Sequence, residues 1–528
     1  MRQMKKYMPE YVSLILYAIM NVILTLHHEP WFDEAESWLI ARDASYFDIL
    51  FVRPHYEGHP PLWHLILSIP AKLGMPYEPS IKTIQFIFAI SMVSLILFKS
   101  PFCRPLRVIL PFTYFFFYQY GVIARPYAMF CVAIFLTACF WKERDEKPWR
   151  IAFSFAWMCL CTAYGIVLAG GMAAVWVLKA LLRERAAFLE NKGRLAALSA
   201  LFVFALSVVI IIYPASNALA VTLRKYLFVN NSLYQFILFV AVIPAETVIS
   251  SVMSYGYIFF QDLPFVDIIS ASVYSLVLWV ILGIQSKAKQ NLALLIFPYV
   301  ALGMVAAGAY FNSHHYGIVL AFFICIFWIN EETEIYKEET VDDLGRTVPA
   351  VFLKAFLRSF LALCCIINIW WSADSFFNDL KYSYSYGKEF AKYVKRNHLE
   401  DKRWLDSWNV VRDKENEDII LLEDTHDLGD GALTANPYFN RSLVFNMHRG
   451  VAFETHEVAS PEEARDEIAG WREEPDPDFI IAGIKDFEYI SRKLDLRSKY
   501  AIVPITKFRW IWKAESNPLV PFSVYKRI

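Results

Sequence analysis

Residues 195–213 read LAALSALFVFALSVVIIIY, a run without a single charge, and the gap just before it holds Arg183, Arg185, Lys192 and Arg194. About 20 mainly apolar residues cover the roughly 30 Å of hydrocarbon in a bilayer at about 1.5 Å of rise per helical residue. The run is therefore a membrane span, and its basic flank faces the cytoplasm, where lysine and arginine are retained. The same test, carried outward, picks out spans near 8–27, 81–98, 106–124, 126–141, 151–165, 167–182, 267–284, 291–310, 316–330 and 352–371. Basic gaps with Lys99, Arg104 and Arg107, with Lys142, Arg144, Lys147 and Arg150, and with Lys287 and Lys289 alternate with short, nearly uncharged ones.

Composition agrees with this reading. The 528-residue chain is 57% hydrophobic and 17% aromatic, which excludes an ordinary string of soluble domains. Its 51 basic and 52 acidic residues leave a net charge of −1, so nothing electrostatic points to nucleic acid. The charge is unevenly spread: short charged gaps separate apolar runs up to Trp371, and charged residues crowd the chain beyond it. All eight cysteines precede that boundary and imply neither a disulfide framework nor a metal finger.

These features predict a polytopic α-helical membrane protein with about 11 transmembrane helices plus juxtamembrane helices. A transmembrane domain over 1–371, with an outer-face loop at 28–80, precedes a soluble extracytoplasmic α/β domain over 372–528. The basic start, Met1 to Lys6, leads into an apolar run without a small-residue cleavage site, which reads as a retained span with a cytoplasmic N-terminus. Two stretches fit no crossing: His59 to Leu73 is short for a span, and Leu233 to Ser250 breaks the charge alternation. Both read as re-entrant or juxtamembrane helices on the outer face. All 11 histidines then fall on the outer side, either because polar groups avoid lipid or because the chemistry is there.

The outer loop from Glu29 to Trp63 reads EPWFDEAESWLIARDASYFDILFVRPHYEGHPPLW. Pro30 suits a first helical turn, and Trp31, Ala35, Trp38 and Leu39 form an apolar stripe opposite Asp33, Glu36 and Arg42. This predicts a helix lying flat at the membrane surface, tryptophans in the interface. Asp33 and Glu34 at its start are then stabilised as anions, which suits a general base; the plainer reading is an acidic helix start. Farther on, Glu57 and His59 precede the pair Pro60 and Pro61, which stiffens the backbone and holds those side chains in one direction.

FDEAESW followed by EGHPPLW resembles the first outer loop of the GT-C superfamily of integral-membrane glycosyltransferases, of the family 39-like kind typified by protein O-mannosyltransferases and lipid A aminoarabinose transferases. The resemblance implies that Asp33 is the catalytic aspartate, with Glu34 beside it, and that Glu57 is a second active-site acid. His59 stands where several relatives carry lysine. Arg125 and Tyr127 resemble the R-x-Y element of these transferases; the guanidinium suits a phosphate, or else snorkels to lipid headgroups. The polar hairpin Asn312 to Gly317 presents His314 and His315, similar to an element near the donor phosphate in relatives. Adjacent histidines usually point apart, which favours one of the two in the cavity over a two-histidine metal site. The cofactor question stays open between none and a divalent metal ion held by Asp33, Glu57 and His59.

Past Ser372 the pattern alternates between helix and strand. Helices are predicted over Gly387 to Asn397 and Pro461 to Trp471, and strands over Asp418 to Leu422, Asp478 to Gly483, Tyr500 to Ile505 and Phe522 to Tyr525. No nucleotide loop or metal spacing is present there; Asp424, Asp427 and Asp430 read as a solvated turn sooner than a calcium loop. Asn230 and Asn440 lie in N-x-S triplets, meaningful only in a eukaryotic host.

The expectation is a glycosyltransferase of a bacterial inner membrane that moves a sugar from a polyprenyl-phosphate donor to a hydroxyl of a glycan, lipid or protein on the outer face, with inversion. Membrane lipids are its other partners. The alternatives are a lipid-linked oligosaccharide flippase, which should show inverted repeats and mid-bilayer charges, and a polysaccharide polymerase or ligase.

Overall fold

The computed structural model describes residues 7–219, 221, 232–248, 265–308, 311, 313–333, 350–406, 431–447, 450–458, 460–482, 487, 491, 495–503 and 523–528. Asn230, Asn312, His426, His448, the strand predicted over Asp418 to Leu422 and the Asp424, Asp427 and Asp430 turn lie outside the described residues.

The chain is mostly helical with one small sheet. Among the described residues, six helices are long and apolar enough to cross a membrane: Met8–His27, Tyr77–Lys99, Ala163–Arg183, Lys192–Ile212, Ile268–Ala288 within a slightly longer helix, and Ser359–Lys381 at the end of Ala350–Lys381. Shorter apolar helices run over Tyr127–Phe140, Pro148–Cys161, Leu292–Gly308 and Tyr316–Glu332. The stretch Leu233 to Ser250 holds two short helices, Ser232–Ala241 and Ile243–Val248, and His59 to Leu73 holds Leu62–Lys72.

Two compact units divide the chain. The first comprises Met1–Ile23, Gln85–Ile212 and Leu227–Phe376. At its centre, Tyr316–Glu332 is buried from Tyr316 to Asn330 and Tyr127–Phe140 is buried along most of its length, as expected of helices that are apolar on every side. Lys192–Ile212 is equally apolar but buries only Arg194, Ala197, Leu201 and Val208, leaving Phe202, Val203 and Ile210 as an exposed apolar face of the kind lipid covers. Gly171 lets Ala163–Arg183 close on Leu292–Gly308, since a Cβ there would stand 2.8 Å from Pro298 Cα.

The span expected over 106–124 is not one helix. It breaks into Arg104–Ile109, a 3₁₀ turn over Leu110–Phe112 and a π-helical turn over Phe115–Gln119. Pro111 in the middle explains the break, because it has no N–H to donate and its ring crowds the preceding turn. Carbonyls around the break are met by side chains from other helices. Ser372 Oγ donates to Phe112 O at 2.7 Å, Tyr17 Oη to Phe116 O at 2.8 Å, Gln85 Nε2 to Tyr120 O at 2.7 Å and Asn21 Nδ2 to Gly121 O at 3.0 Å. Where water is excluded, irregular backbone persists only if its polar groups find such partners, which accounts for polar residues within otherwise apolar helices.

The second unit comprises Leu24–Ile84, Tyr213–Tyr226 and Phe377–Ile528. Its sheet has strands β1 Trp404–Asp406, β2 Phe479–Ala482, β3 Tyr500–Val503 and β4 Ser523–Arg527 in the order β1-β2-β4-β3. β1 and β2 run parallel with Trp404 opposite Phe479; the other neighbours are antiparallel. Strand β2 is buried throughout, its Phe479 and Ile481 on one core and its Ile480 and Ala482 on another, as the two-residue period of a strand requires. The helices predicted near Gly387 and Pro461 are present as Gly387–Arg396 and Pro461–Glu473. The second starts in a reciprocal cap in which Ser460 Oγ accepts from Glu463 N and Glu463 Oε2 from Ser460 N.

The helix expected to lie flat in the membrane interface instead packs inside this unit. It spans Phe32–Asp43, and Leu39 and Ile40 join Phe390, Trp404 and Phe479 in one core. Trp38 and Glu36 are buried alike, so protein covers the apolar stripe and reaches onto the polar face, where Asp33 and Arg42 stay partly exposed. The stripe is real, but its partner is the C-terminal half of the unit.

Replacing Gln85 by Leu removes the donor to the Tyr120 carbonyl at the helix break. We expect a loss of about 1–3 kcal/mol, read as a lowered unfolding midpoint of the detergent-solubilised protein; an unchanged midpoint would show that the break needs no such support.

Candidate functional site

The helix Phe32–Asp43 carries Asp33, Glu34 and Glu36 into three different surroundings. Glu34 turns inward: its Oε2 accepts from Trp31 N at 3.1 Å and lies 3.2 Å from His28 Nε2. The other nitrogen of His28, Nδ1, lies 2.8 Å from Asp379 Oδ2, and all three side chains are buried. Burial works against an imidazolium here, but Asp379 and Glu34 outweigh it and push the His28 pKa up to about 10. Glu34 is thus half of a buried carboxylate pair clamping one histidine.

Glu36 faces a second cluster. Its carboxylate, that of Glu57 and the imidazole of His456 bring ligand-type atoms within 4.8 Å of one another. Asp33 lies close enough to act electrostatically on both Glu36 and His456. Glu57 Oε1 stands 3.6 Å from His456 Nε2, and Glu454 Oε1 stands 3.7 Å from His456 Nδ1. The N–H of Glu454 donates to Glu36 Oε2 at 3.1 Å. Arg53 lines the same region, its NH2 2.8 Å from Glu457 Oε1 and its NH1 donating to Thr455 O at 2.9 Å.

Local backbone explains how these groups are held. Pro54–Glu57 is a single helical turn with proline at its start, and it stops at Gly58, whose φ of +64° a side-chain-bearing residue adopts poorly. Residues 213–219 of the same unit bind both flanks of the cluster: Ala215 N donates to His55 O at 3.2 Å, Leu219 N to His456 O at 2.9 Å and Val458 N to Asn217 O at 2.8 Å. His456 itself has φ of +49°, an uncommon conformation for a residue with a side chain, sustained by these bonds.

The electrostatics arise from crowding acids in a buried place. Burial pushes the Glu36 carboxyl well above the ordinary carboxylate range, and the charges of Glu57, Glu454 and Asp33 add to it. For His456, burial favours the neutral ring, but Glu57, Glu454 and Asp33 prevail over burial and Arg53, so its proton affinity is raised.

Of the residues predicted from sequence, Asp33 and Glu57 share this cluster and Glu34 belongs to the His28 clamp. His59 is half-buried just after Gly58 and is not among the three residues whose ligand atoms converge, nor is Asp33. Glu36, Arg53, Glu454 and His456 were not singled out as site residues by motif. The signal available for His456 was the dense run Glu454-Thr455-His456-Glu457, which alone reads as a solvated turn.

Arg125, Tyr127, His314 and His315 lie in the first unit, where they form their own group. Arg125 is largely buried with its guanidinium 5.7 Å from the Tyr127 ring. Tyr127 stacks on Tyr120 at 5.0 Å and meets His315 edge-on at 5.7 Å, while Tyr120 Oη donates to His314 O at 2.8 Å. The two histidines, on the 3₁₀ turn Ser313–His315, do not point apart: their rings are 4.0 Å apart between centroids. Gly317 allows this packing, since a Cβ there would come within 2.5 Å of the Tyr120 ring.

No protein-family profile matches the chain, and no curated protein is significantly similar to it.

A histidine with a folded pKa near 10 and an unfolded value of about 6.5 stabilises the fold fully below about pH 6.5, and this contribution fades as pH rises toward about 10. The unfolding midpoint should therefore fall over that window in the native protein and fall less steeply in His28→Gln. Equal slopes would show that His28 is not held as a cation.

Proposed function

We propose that this protein is a GT-C type membrane glycosyltransferase that moves a sugar from a polyprenyl-phosphate donor to a hydroxyl of a glycan, lipid or protein. The observation that carries the reading is the pairing of the FDEAESW and EGHPPLW motifs with one cluster in which Asp33 and Glu57 act on the same histidine. Two acids from separate sequence motifs meeting beside a proton carrier are the parts that general base catalysis on a hydroxyl needs.

In this reading Asp33 takes the proton of the acceptor hydroxyl as its oxygen attacks the anomeric carbon. The C–O bond to the lipid phosphate breaks as the new glycosidic bond forms, and a single displacement inverts the configuration. Glu57 orients the acceptor. Arg125 and the 314–315 histidine pair carry the groups a phosphate site uses, a guanidinium fork and imidazole donors, and are assigned to the lipid phosphate. A divalent ion, where one is used, offsets charge among the acids.

The wider architecture belongs to the same proposal: about 11 crossings, a cytoplasmic N-terminus, an extracytoplasmic C-terminal region and a bacterial inner membrane. The basic gaps around Lys99, Lys142 and Lys192 support the orientation. The missing nucleotide-binding loop supports a lipid-linked donor.

Asp33→Asn should lower transfer from a polyprenyl-phosphate sugar by at least about 100-fold with the unfolding midpoint retained; full activity in the folded variant would sink the assignment. Arg125→Lys should raise the donor KM by roughly 10–100-fold, the worth of a charged hydrogen bond, and leave acceptor KM unchanged. A single cysteine at position 440, in a chain stripped of native cysteines, should react with a membrane-impermeant reagent from outside the cell and not from the cytoplasm.

A further inference from the structure

We infer that the first unit binds an anionic phospholipid, its phosphodiester headgroup held by Arg144, Lys179, Arg183 and Arg194 at one end of the helices Pro148–Cys161, Ala163–Arg183 and Lys192–Ile212. The inference goes beyond the transfer reading and does not depend on it.

The first ground is a buried cation. Arg194 opens Lys192–Ile212 yet is only 7% exposed, and its Nε and NH1 make no hydrogen bond among the described residues. The guanidinium lies 5.3 Å from the Phe188 ring, and NH1 stands 3.4 Å from Asp145 Oδ1. A buried guanidinium is costly unless an anion meets it in full.

The second ground is that Asp145 is shared. Its Oδ1 accepts from Trp176 Nε1 at 3.0 Å, and its Oδ2 lies 3.6 Å from Arg144 NH2, so one carboxylate serves two guanidiniums and an indole. Lys179 and Arg183 add charge while bonding to neutral acceptors: Lys179 Nζ donates to Gln290 O and, at 3.3 Å, to Asn291 Oδ1, and Arg183 NH1 donates to Gln290 Oε1 at 3.0 Å. Arg144 and Arg183 are close enough to act electrostatically on Lys179, as Arg194 is on Arg144. Glu184 also acts on Arg144, whereas Glu143 is engaged by Lys147 and Arg150. Four cations thus face Asp145 and Glu184, an excess of two positive charges. Burial and the charge of Arg194 lower the proton affinity of Arg144 against the pull of Asp145 and Glu184, so the group calls for a further anion. Access is graded: Arg144 and Lys179 are half-buried and Arg183 is exposed. Guanidinium forks pair with the oxygens of a phosphate, and Arg194, with Nε and NH1 covered, acts on it chiefly through charge.

The third ground selects the source of the phosphate. Leu178 and Leu182, each one residue before Lys179 and Arg183, are 57% and 76% exposed, on a helix long and apolar enough to cross a membrane. A free phosphate would cover the cations and leave this apolar surface in water. A lipid covers both, its headgroup on the cations and its chains along the leucines, and basic pockets between membrane helices recognise anionic headgroups in this way.

The test uses the full chain, delipidated in dodecyl maltoside with no sugar donor present, and reads the unfolding midpoint against added phosphatidylglycerol, phosphatidylcholine of the same acyl chains, or inorganic phosphate. A ligand of the folded state raises the midpoint, so phosphatidylglycerol should raise it and the other two should not. The phosphatidylglycerol concentration giving half the shift should rise at least roughly tenfold in Arg144→Gln and in Arg194→Gln, the worth of a charged hydrogen bond, and stay unchanged in Lys147→Gln, whose ammonium Glu143 holds. An equal response to phosphatidylcholine or to inorganic phosphate, or variants that respond as the native chain does, would overturn the site. Should Arg194→Gln fail to fold, the double variant Arg144→Gln with Arg183→Gln, neither of them buried, carries the same test. Sugar transfer is not read, so the outcome is separate from that of Asp33→Asn.

Discussion

A carboxylate withdrawn from water must be met by a proton, a cation or hydrogen-bond donors, and the helix Phe32–Asp43 withdraws Glu34 and Glu36 together. Much of the second unit can be understood as the answer to that demand. Glu34 is met by His28, which is met in turn by Asp379, near the end of the helix Ala350–Lys381. Glu36 is met on one oxygen by a backbone N–H of the segment that also supplies His456. The buried helix thus ties residues 28–43 to the C-terminal region by charge as well as by the core that Leu39 and Ile40 share with Trp404 and Phe479.

The first unit obeys a related constraint on backbone groups. Its broken segment between Arg104 and Gln119 persists because Tyr17, Asn21, Gln85 and Ser372 donate to the carbonyls around it. The break also sets the course of the next residues in the chain: Tyr120 turns its hydroxyl to the His314 carbonyl and its ring to Tyr127. A continuous helix over the same residues would give Arg125 and Tyr127 a different approach to the histidine pair.

Several elements were legible in advance because their signals are local. Apolar runs announced the helices Met8–His27, Tyr77–Lys99 and Lys192–Ile212, and helical patterning announced Pro461–Glu473. Strand β1 was not, since Trp404–Asp406 is too short for an alternating pattern and exists by pairing with β2. The amphipathic stripe of Phe32–Asp43 was legible as a stripe, but a stripe states only that something apolar covers it, and lipid and a protein core satisfy that equally.

The sequence by itself determined the solvent of this protein, its long apolar helices and the presence of Asp33 and Glu57 in two distinctive motifs, because composition and short-range spacing carry that information. Only the tertiary structure decided that Glu34 is clamped by His28 while Glu36 faces Glu57 and His456. Residues two apart on a helix are turned about 200° from each other, so Glu34 and Glu36 enter different surroundings, and those surroundings draw on Asp379 and Glu454, residues far along the chain whose pairing no local pattern records.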